Sequence, residues 1–350
     1  MSFGGETAMT ELEFQRLMDG VPTLTALQRT ALHQALANAD GPPAGGPPAD
    51  DTTATAPVSM PSAPTPAPPG GTDPLALIEA HFAAAPACPH CRSARLGKWG
   101  SANRLRRYRC KDCGQTFNAL TGTPLAQLHK RELWLEHGQA LVDGIALRKV
   151  AARLDIDLTT AFRWRHRFMA APQDVKAQAV GGIVEADETY FLESMKGSPT
   201  PGRKPRSRGG KASKRGLSGE QIPVLIVRDR TAATTDRVLA DRSAKSIAAV
   251  LAPIVAKDAI LVSDGAQAYS AFAEHEQIAH VRLIISAGQH VRGDYHIQNV
   301  NAYTSRLKGW MARFKGVATT YLDSYLGWHR MIDRDGGRLT AQSCLAAAQA

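Results

Sequence analysis

Long apolar stretches are absent from this 350-residue chain: no segment holds eighteen consecutive apolar residues, and the start lacks a signal-peptide pattern. A membrane-crossing helix needs about 20 apolar residues, so we expect a soluble intracellular protein of two or three domains. Cysteine is also scarce, with five residues, four of them in two close pairs. That usage excludes a disulfide framework and favours a metal site in a reducing compartment.

Basic residues are scarce at the start of the chain and dominate the rest. Residues 1–73 hold eight acids and two bases, a net charge of −6, whereas the whole chain carries +10. The remaining residues therefore carry +16, which is the charge pattern of a nucleic-acid-binding protein. A solvated charged surface is the alternative, and the clustering of the bases favours the polyanion.

The first 73 residues divide into two parts with no assigned chemistry. Residues 10–38 carry apolar side chains at helical spacing, which predicts a small helical module within residues 1–40. Residues 41–73 contain ten prolines in 33 positions. This segment holds too little apolar material to fold and is predicted to be a disordered linker.

Two cysteine pairs define the next module, predicted over residues 74–125. Cys88 and Cys91 form the first pair, and after eighteen residues Cys110 and Cys113 form the second. Four thiolates at this spacing suit a tetrahedral Zn²⁺ ion, so we predict a zinc ribbon with a structural metal. Four buried thiols spaced by coincidence are the alternative.

Bases without any acid fill the interval between the two pairs. They are Arg92, Arg95, Lys98, Arg104, Arg106, Arg107 and Arg109. Because they are interleaved with Trp99 and Tyr108, they suit contact with phosphates. The DNA-binding residues expected here are Arg104, Arg106 and Arg107, and a solvated basic hairpin is the alternative.

Residues 126–172 are predicted to be a helix-turn-helix DNA-binding domain. Residues 147–154 have the apolar spacing of a short helix, residues 155–157 form a turn, and a basic helix starts at Thr159. Short helix, tight turn and basic second helix are typical of that motif, although other small helical bundles imitate it. The residues expected to face DNA are Arg163, Arg165 and Arg167.

The third region, predicted over residues 180–332, opens with an apolar strand that ends in acids. Because side chains alternate along a strand, Glu185 and Asp187 point to one face, and Ala186 and Glu188 point to the other. An acid buried within a strand is costly unless it is paired or binds a metal. Asp187 is therefore either a solvated strand end or a metal ligand.

A basic loop interrupts this region at residues 196–219. Glycines and prolines lie between its bases, and the first acid is Glu220. We expect this insertion to hold a phosphate backbone. Its predicted contacts are Arg206, Arg208 and Lys211.

The order of elements predicts the fold: three strands, then helix, strand, helix, strand and a long helix from residue 298. This is the order of the α/β RNase H-like nucleases, a mixed five-stranded sheet with helices. In that fold an acid within the first strand meets an acid at the end of the fourth, and Asp187 and Asp264 occupy these places. Two such carboxylates can hold a pair of divalent ions for in-line phosphoryl displacement.

Together these motifs resemble the zinc-ribbon DDE transposases of bacterial insertion sequences, the ISXO-like group, over residues 86–330. The resemblance is carried by the four paired cysteines and by residues 184–190, 263–265, 296–301, 305–308 and 321–330. The motifs occur in the family's order and spacing. None would suffice alone, and together they are specific.

The resemblance implies Asp187 and Asp264 as the first two ligands of catalytic Mg²⁺ or Mn²⁺. The third position is Glu in many relatives and Asn301 here, with His296 upstream and Lys308 downstream. An amide oxygen holds a hard cation less firmly than a carboxylate does. His296 would orient the scissile phosphate or a ligand, and Lys308 would contact phosphate.

The implied activity is transposition in the bacterial cytoplasm, at the nucleoid when DNA is bound. The protein would bind the terminal inverted repeats of double-stranded DNA, cleave the 3′ ends and transfer them to target DNA, as at least a dimer. Two alternatives stay open: a DNA-binding regulator or defective element copy weakened at Asn301, and an RNase H-like nuclease without strand transfer. Residues 333–350 are interpreted as a C-terminal tail, with Cys344 incidental.

Overall fold

The computed structural model describes residues 73–197, 210–214 and 218–349. The predicted helical module and nearly all of the predicted linker lie outside these residues, as do Arg206 and Arg208 of the basic insertion. Within the described ranges, no helix is both long and apolar enough to cross a membrane.

A helix and a small sheet form the cysteine-containing module. Its elements are α1 (Pro74–Ala84), β1 (Leu96–Ala102), β2 (Leu105–Cys110) and β3 (Thr116–Asn118), with the three strands antiparallel in that order. Helix α1 was not predicted; Asp73 caps it by accepting the Leu75 N–H. Glu79 on α1 accepts hydrogen bonds from the Arg106 N–H at 2.8 Å and the Tyr108 hydroxyl at 3.0 Å, which tie the helix to β2.

Three helices follow, where helices were predicted. They are α2 (Trp134–Val142), α3 (Leu147–Arg153) and α4 (Leu158–Phe168). The α3–α4 turn includes Asp155 at a φ of 48°, and the Asp157 side chain caps α4 by accepting the Thr159 N–H at 2.7 Å. The helix, turn and helix thus lie within one or two residues of the predicted boundaries.

A mixed five-stranded sheet is the centre of the fold. Its strands are β4 (Ile183–Leu192), β5 (Gln221–Asp229), β6 (Thr234–Val238), β7 (Ile260–Asp264) and β8 (Ala279–Leu283). The spatial order is β6-β5-β4-β7-β8; β4 is antiparallel to β5 and parallel to β7. This arrangement fits the predicted RNase H-like core.

Helices cover both faces of the sheet. Helices α5 (Ala244–Leu251) and α6 (Gln267–Glu276) cover one face, and α7 (Gln298–Ala312) and α8 (Leu322–Asp335) cover the other. Helix α5 stops before the predicted end at residue 256, since Pro253 cannot continue it. Strand β8 ends three residues before the predicted Ser286, and an unpredicted hairpin, β9 (Val291–Arg292) and β10 (Tyr295–His296), precedes α7.

The predicted C-terminal tail is wrong, because residues 333–350 contain a packed helix, α9 (Ala341–Ala347). Its side chains Cys344 and Leu345 are buried, so Cys344 belongs to the core. Helix α9 packs on α2, where a Cβ on Gly138 would lie 2.8 Å from the Ala341 carbonyl oxygen. Only glycine permits this approach.

The helices α2 to α4 share one hydrophobic core with the helices on the sheet. Trp134, Trp164 and Phe168 belong to the same buried cluster as Trp328 of α8. The Trp328 indole N–H donates to the Leu141 carbonyl at 3.1 Å. The hydrophobic core is therefore continuous across the predicted domain boundary near residue 175.

Candidate active site

The pairing of β4 with β7 places Asp187 beside Asp264. The parallel ladder ends at Ala186 and Ser263, and each acid is the next residue of its strand. Neighbouring strands lie about 4.8 Å apart and residues in register point to the same face. The two carboxylates therefore lie side by side on the face covered by α7.

Ionisation of Asp187 is electrostatically unfavourable. Burial, the charge of Asp264 and the charge of Glu188 raise the pKa of Asp187 to about 7, although Lys308 acts in the opposite direction. The Asp187 Oδ1 accepts the Glu188 N–H at 2.9 Å, and Asp264 accepts the Ala266 N–H at 3.0 Å. Adjacent buried carboxylates are costly without a cation, and oxygen donors suit Mg²⁺ or Mn²⁺. The donor set therefore fits a divalent ion.

Glu188 points away from α7, as strand alternation predicts. Its Oε1 accepts the hydroxyl of Tyr269 on α6 at 2.6 Å, and Tyr269 is fully buried. Burial raises the pKa of Glu188 as well. A third carboxylate therefore adds negative charge near Asp187 and Asp264 from the opposite face of the sheet.

Helix α7 presents Asn301 and Lys308 on one flank. Its core face is formed by Val300, Tyr303 and Leu307, whereas Asn301 and Lys308 are exposed. Seven residues make about two helical turns, so these two side chains share a flank. Lys308 is close enough for its charge to oppose the raised pKa of Asp187, and contact of Asn301 with the acid pair remains a prediction.

Glu185, to which sequence analysis assigned no role, is completely buried. Its carboxylate accepts the N–H groups of Asn299 at 2.8 Å and Val300 at 3.0 Å, and the Asn299 side-chain amide at 2.9 Å. The Arg230 guanidinium lies 3.3 Å from Glu185 Oε1. A signal for this role was available in the sequence: an acid at the centre of an apolar strand needs a partner.

His296, predicted to act on the scissile phosphate, contacts the Glu185 cluster. Its Nδ1 lies 3.4 Å from Glu185 Oε1 and accepts the Gln298 N–H at 3.2 Å. Its Nε2 lies 2.7 Å from Arg230 Nη1. These contacts place His296 at the first turn of α7, and its predicted catalytic role remains a prediction.

The four paired cysteines converge at one point. Their sulfur atoms lie within 4.8 Å of one another; Cys88 and Cys113 are 3.6 Å apart, and Cys91 and Cys110 are 3.5 Å apart. Tetrahedral zinc with Zn–S bonds of about 2.3 Å would separate its sulfur ligands by about 3.8 Å. The cluster therefore fits a tetrahedral ion without rearrangement of the strands.

The three bases between the cysteine pairs that are predicted to contact DNA do not share one surface. Arg106 and Arg107 are neighbours on a strand and point to opposite faces. The Arg107 guanidinium donates to Thr116 Oγ1 at 3.2 Å, and Arg104 lies 3.6 Å from the Asp73 carboxylate. All three stay accessible at their ends, so contact with DNA remains a prediction for each.

Among the predicted DNA-binding residues that the structure describes, Arg165 alone is buried. It is 1% exposed, and its guanidinium donates to the Ile145 carbonyl and lies 5.4 Å from the centre of the Trp328 ring. Burial lowers its pKa. Arg163 and Arg167 on the same helix are exposed, as is Lys211 of the basic insertion.

Comparison with known proteins finds a family match for the central segment of the chain. Residues 179–328 match the family model of the ISXO2-like transposase domain. A protein of the transposable element ISH50 from Halobacterium salinarum, described as uncharacterized, is 29% identical over 243 residues, covering 68% of this chain and 82% of its own. The resemblance to insertion-sequence transposases is thereby confirmed for this segment, and the predicted zinc ribbon lies outside the residues that the family model matches.

Solved structures of Mos1 transposase also match, at low similarity. The pre-cleavage transpososome is 13% identical, with 62% of this chain and 79% of that chain covered, and has a TM-score of 0.22. The strand transfer complex is 13% identical, with 62% and 78% covered and a TM-score of 0.21. Similarity at this level carries no weight for the arrangement of the site.

Replacing Asp187 with asparagine should stabilise the protein above neutral pH in buffer without Mg²⁺ or Mn²⁺. The pKa of Asp187 is higher in the folded state than its usual 3.8, so wild-type stability falls as the pH rises from about 4 to 7. Asp187→Asn removes this loss, a gain of about 2 to 4 kcal/mol at pH 8 that shrinks toward pH 5. Urea unfolding at several pH values measures it.

The exposed Asp258 provides the matched control for this comparison. Asp258→Asn should leave the pH dependence of the unfolding free energy unchanged. Parallel pH profiles for wild type and Asp187→Asn would show that Asp187 is not electrostatically strained.

Proposed function

Residues 179–328 match the ISXO2-like transposase domain, and from this premise we propose that the protein cleaves the 3′ ends of its own element and joins them to target DNA. The observation that carries the proposal is the β4–β7 register, which sets Asp187 and Asp264 side by side within the matched segment. The raised pKa of Asp187 reflects an electrostatic cost of the kind that a bound cation relieves.

The chain would supply ligands for the ions and hold the reacting phosphate. Asp187 and Asp264 would bind divalent ions through carboxylate oxygens, and Asn301 would add a neutral amide oxygen. Bound there, Mg²⁺ or Mn²⁺ would activate an attacking oxygen and stabilise the leaving one. Lys308, on the flank of Asn301, would contact the scissile phosphate. None of these roles requires a covalent protein nucleophile.

Two phosphoryl transfers account for the reaction. In the first, a water oxygen bonds to phosphorus and the P–O3′ bond breaks, which leaves a 3′-hydroxyl on the element and a 5′-phosphate on the flanking DNA. In the second, that 3′-hydroxyl attacks a target phosphodiester, forms a new P–O3′ bond and releases a target 3′-hydroxyl. Both displacements would use the same acid pair.

The surrounding modules would recognise the element's ends. The ribbon with its zinc ion, the exposed Arg163 and Arg167 of α4, and the basic insertion would bind the phosphate backbone and the repeat sequence. Two ends must be held together, so the active form would be at least a dimer, acting in the cytoplasm where its DNA lies.

A cleavage assay on DNA that bears the element's end tests the proposal. With Mg²⁺ or Mn²⁺, wild type should give cut strands and joined products, and Asp187→Ala or Asp264→Ala should lower both by at least about a thousandfold, since the ligands act as a unit. Binding of end DNA, measured by fluorescence anisotropy, should change little.

The exposed Asp258→Ala variant should retain full activity in that assay. Binding without cutting by the wild type would favour a DNA-binding regulator, with Asn301 as its defect. Cutting without joined products would favour a nuclease. Strand transfer by Asp187→Ala would show that the active site has been wrongly assigned.

A zinc measurement tests the cysteine cluster. We expect one zinc ion per chain by atomic emission, and Cys91→Ser should lose most of it because three thiolates bind more weakly than four. Cys344→Ala removes a cysteine outside the cluster and should keep the ion. Full zinc content in Cys91→Ser would contradict the assignment.

Two neighbouring arginines of α4 should separate DNA binding from stability. Arg163→Ala should weaken DNA binding and reduce the slope of log affinity against log salt by about one, with stability changed by less than about 0.5 kcal/mol. Arg165→Ala should cost more than about 1 kcal/mol of unfolding free energy, since it removes a buried hydrogen bond. Weaker DNA binding by Arg165→Ala at unchanged stability would instead show a direct role of Arg165 in DNA binding.

A further inference from the structure

Glu185 is a fully buried acid with a complete set of partners. Its exposed fraction is 0%, and both carboxylate oxygens accept hydrogen bonds. Oε2 accepts the backbone N–H groups of Asn299 and Val300, and Oε1 accepts the Asn299 side-chain amide. These donors belong to the first turn of α7, whose N–H groups have no partner within the helix. The carboxylate therefore caps α7 from a neighbouring strand.

The Arg230 guanidinium and the His296 ring complete the surroundings of Glu185. Arg230 Nη1 lies 3.3 Å and His296 Nδ1 3.4 Å from Oε1. Arg230 is itself held by the Asp294 carbonyl, which accepts from Nη2 at 2.9 Å. The positive end of the helix dipole adds to this field. These groups surround the first turn of α7, and together they compensate for burial of the Glu185 charge.

This one carboxylate connects the two elements that carry the proposed metal ligands. Glu185 and Asp187 lie two residues apart on the same face of β4, a separation of about 6.6 Å along the strand. Asn301 directly follows Val300, which donates to Glu185 at 3.0 Å. The hydrogen bonds of Glu185 therefore contribute to the position of Asn301 relative to Asp187, together with the packing of the core face of α7.

We propose that Glu185 is a positioning residue that holds the Asn301 amide oxygen at the metal site; the proposal rests on the proposed function. A third carboxylate would be drawn to a divalent ion by charge alone. A neutral amide has no such attraction, so the helix that carries it must be placed in advance. Glu185 provides that placement from the ligand-bearing strand.

Asp229 provides a matched control for a purely structural role. It is also a buried acid and accepts backbone N–H groups, from Thr231 at 2.9 Å and Ala233 at 3.0 Å, in the turn after β5. Its recorded bonds are to that turn and to Gly181, which precedes β4. Asp229→Asn should lower stability without altering the placement of α7.

The experiment compares Glu185→Gln with Asp229→Asn in the full chain, using cleavage of end-bearing DNA at increasing Mg²⁺ concentration. Glu185→Gln should raise the Mg²⁺ concentration for half-maximal rate by about 10- to 100-fold, the range found when residues that orient metal ligands are replaced. Asp229→Asn should leave it within about twofold of wild type. The Mn²⁺ affinity of the DNA-free protein, measured by calorimetry, should fall in Glu185→Gln and stay close to the wild-type value in Asp229→Asn.

A double-mutant cycle identifies the residue through which Glu185 acts. In an Asn301→Ala background, adding Glu185→Gln should raise the Mg²⁺ requirement by less than about threefold, because the placed ligand is already gone. The proposal would be overturned if Glu185→Gln raised the Mg²⁺ requirement by the same factor with and without Asn301→Ala. Equal metal dependence in Glu185→Gln and Asp229→Asn would overturn it as well. If wild type cuts no DNA, the proposed function fails, while the Mn²⁺ affinities still decide the positioning role.

Discussion

The parallel pairing of β4 with β7 is the constraint on which the site depends. β4 is the central strand, bonded to β5 on one side and to β7 on the other, so its residues have little freedom to shift. A shift by one residue would turn Asp187 to the face of α6 and separate it from Asp264. The sheet thus holds two carboxylates side by side, and burial together with the charge of Asp264 raises the pKa of Asp187.

Two acids on the same face of β4 differ in how their charges are satisfied. Glu185 has backbone N–H groups, an amide and Arg230 as partners. Asp187, two residues further along, has one backbone N–H and two neighbouring carboxylates. The first arrangement is that of a structural acid, and the second fits the metal-ligand role proposed for Asp187. Sequence alone cannot separate them, because the partners of Glu185 come from residues 230 and 296–300.

Local patterns predicted the sheet, the acid pair and the positions of α3 and α4, because strand alternation, turn residues and acids at strand ends are all local signals. Helix α9 was missed, since its alanine-rich segment lies at the chain end and gains its order from packing on α2. Arg165 was misassigned because a run of bases suggested a DNA-binding face. The spacing of Ala161, Trp164 and Phe168 would have placed residue 165 beside the core, a signal that charge composition concealed.

The shared core gives helices α2 to α4 a fixed place relative to Asp187 and Asp264. Trp328 of α8 bonds to the Leu141 carbonyl near the end of α2. Arg330, also on α8, forms a buried ion pair with Asp236 of β6 and donates to the Gln173 carbonyl at 2.9 Å. Helix α8 therefore connects α2 and the segment that follows α4 to the sheet through these hydrogen bonds. If α4 binds DNA as proposed, this packing would fix the distance between the bound DNA and the acid pair, and with it the position of the cut.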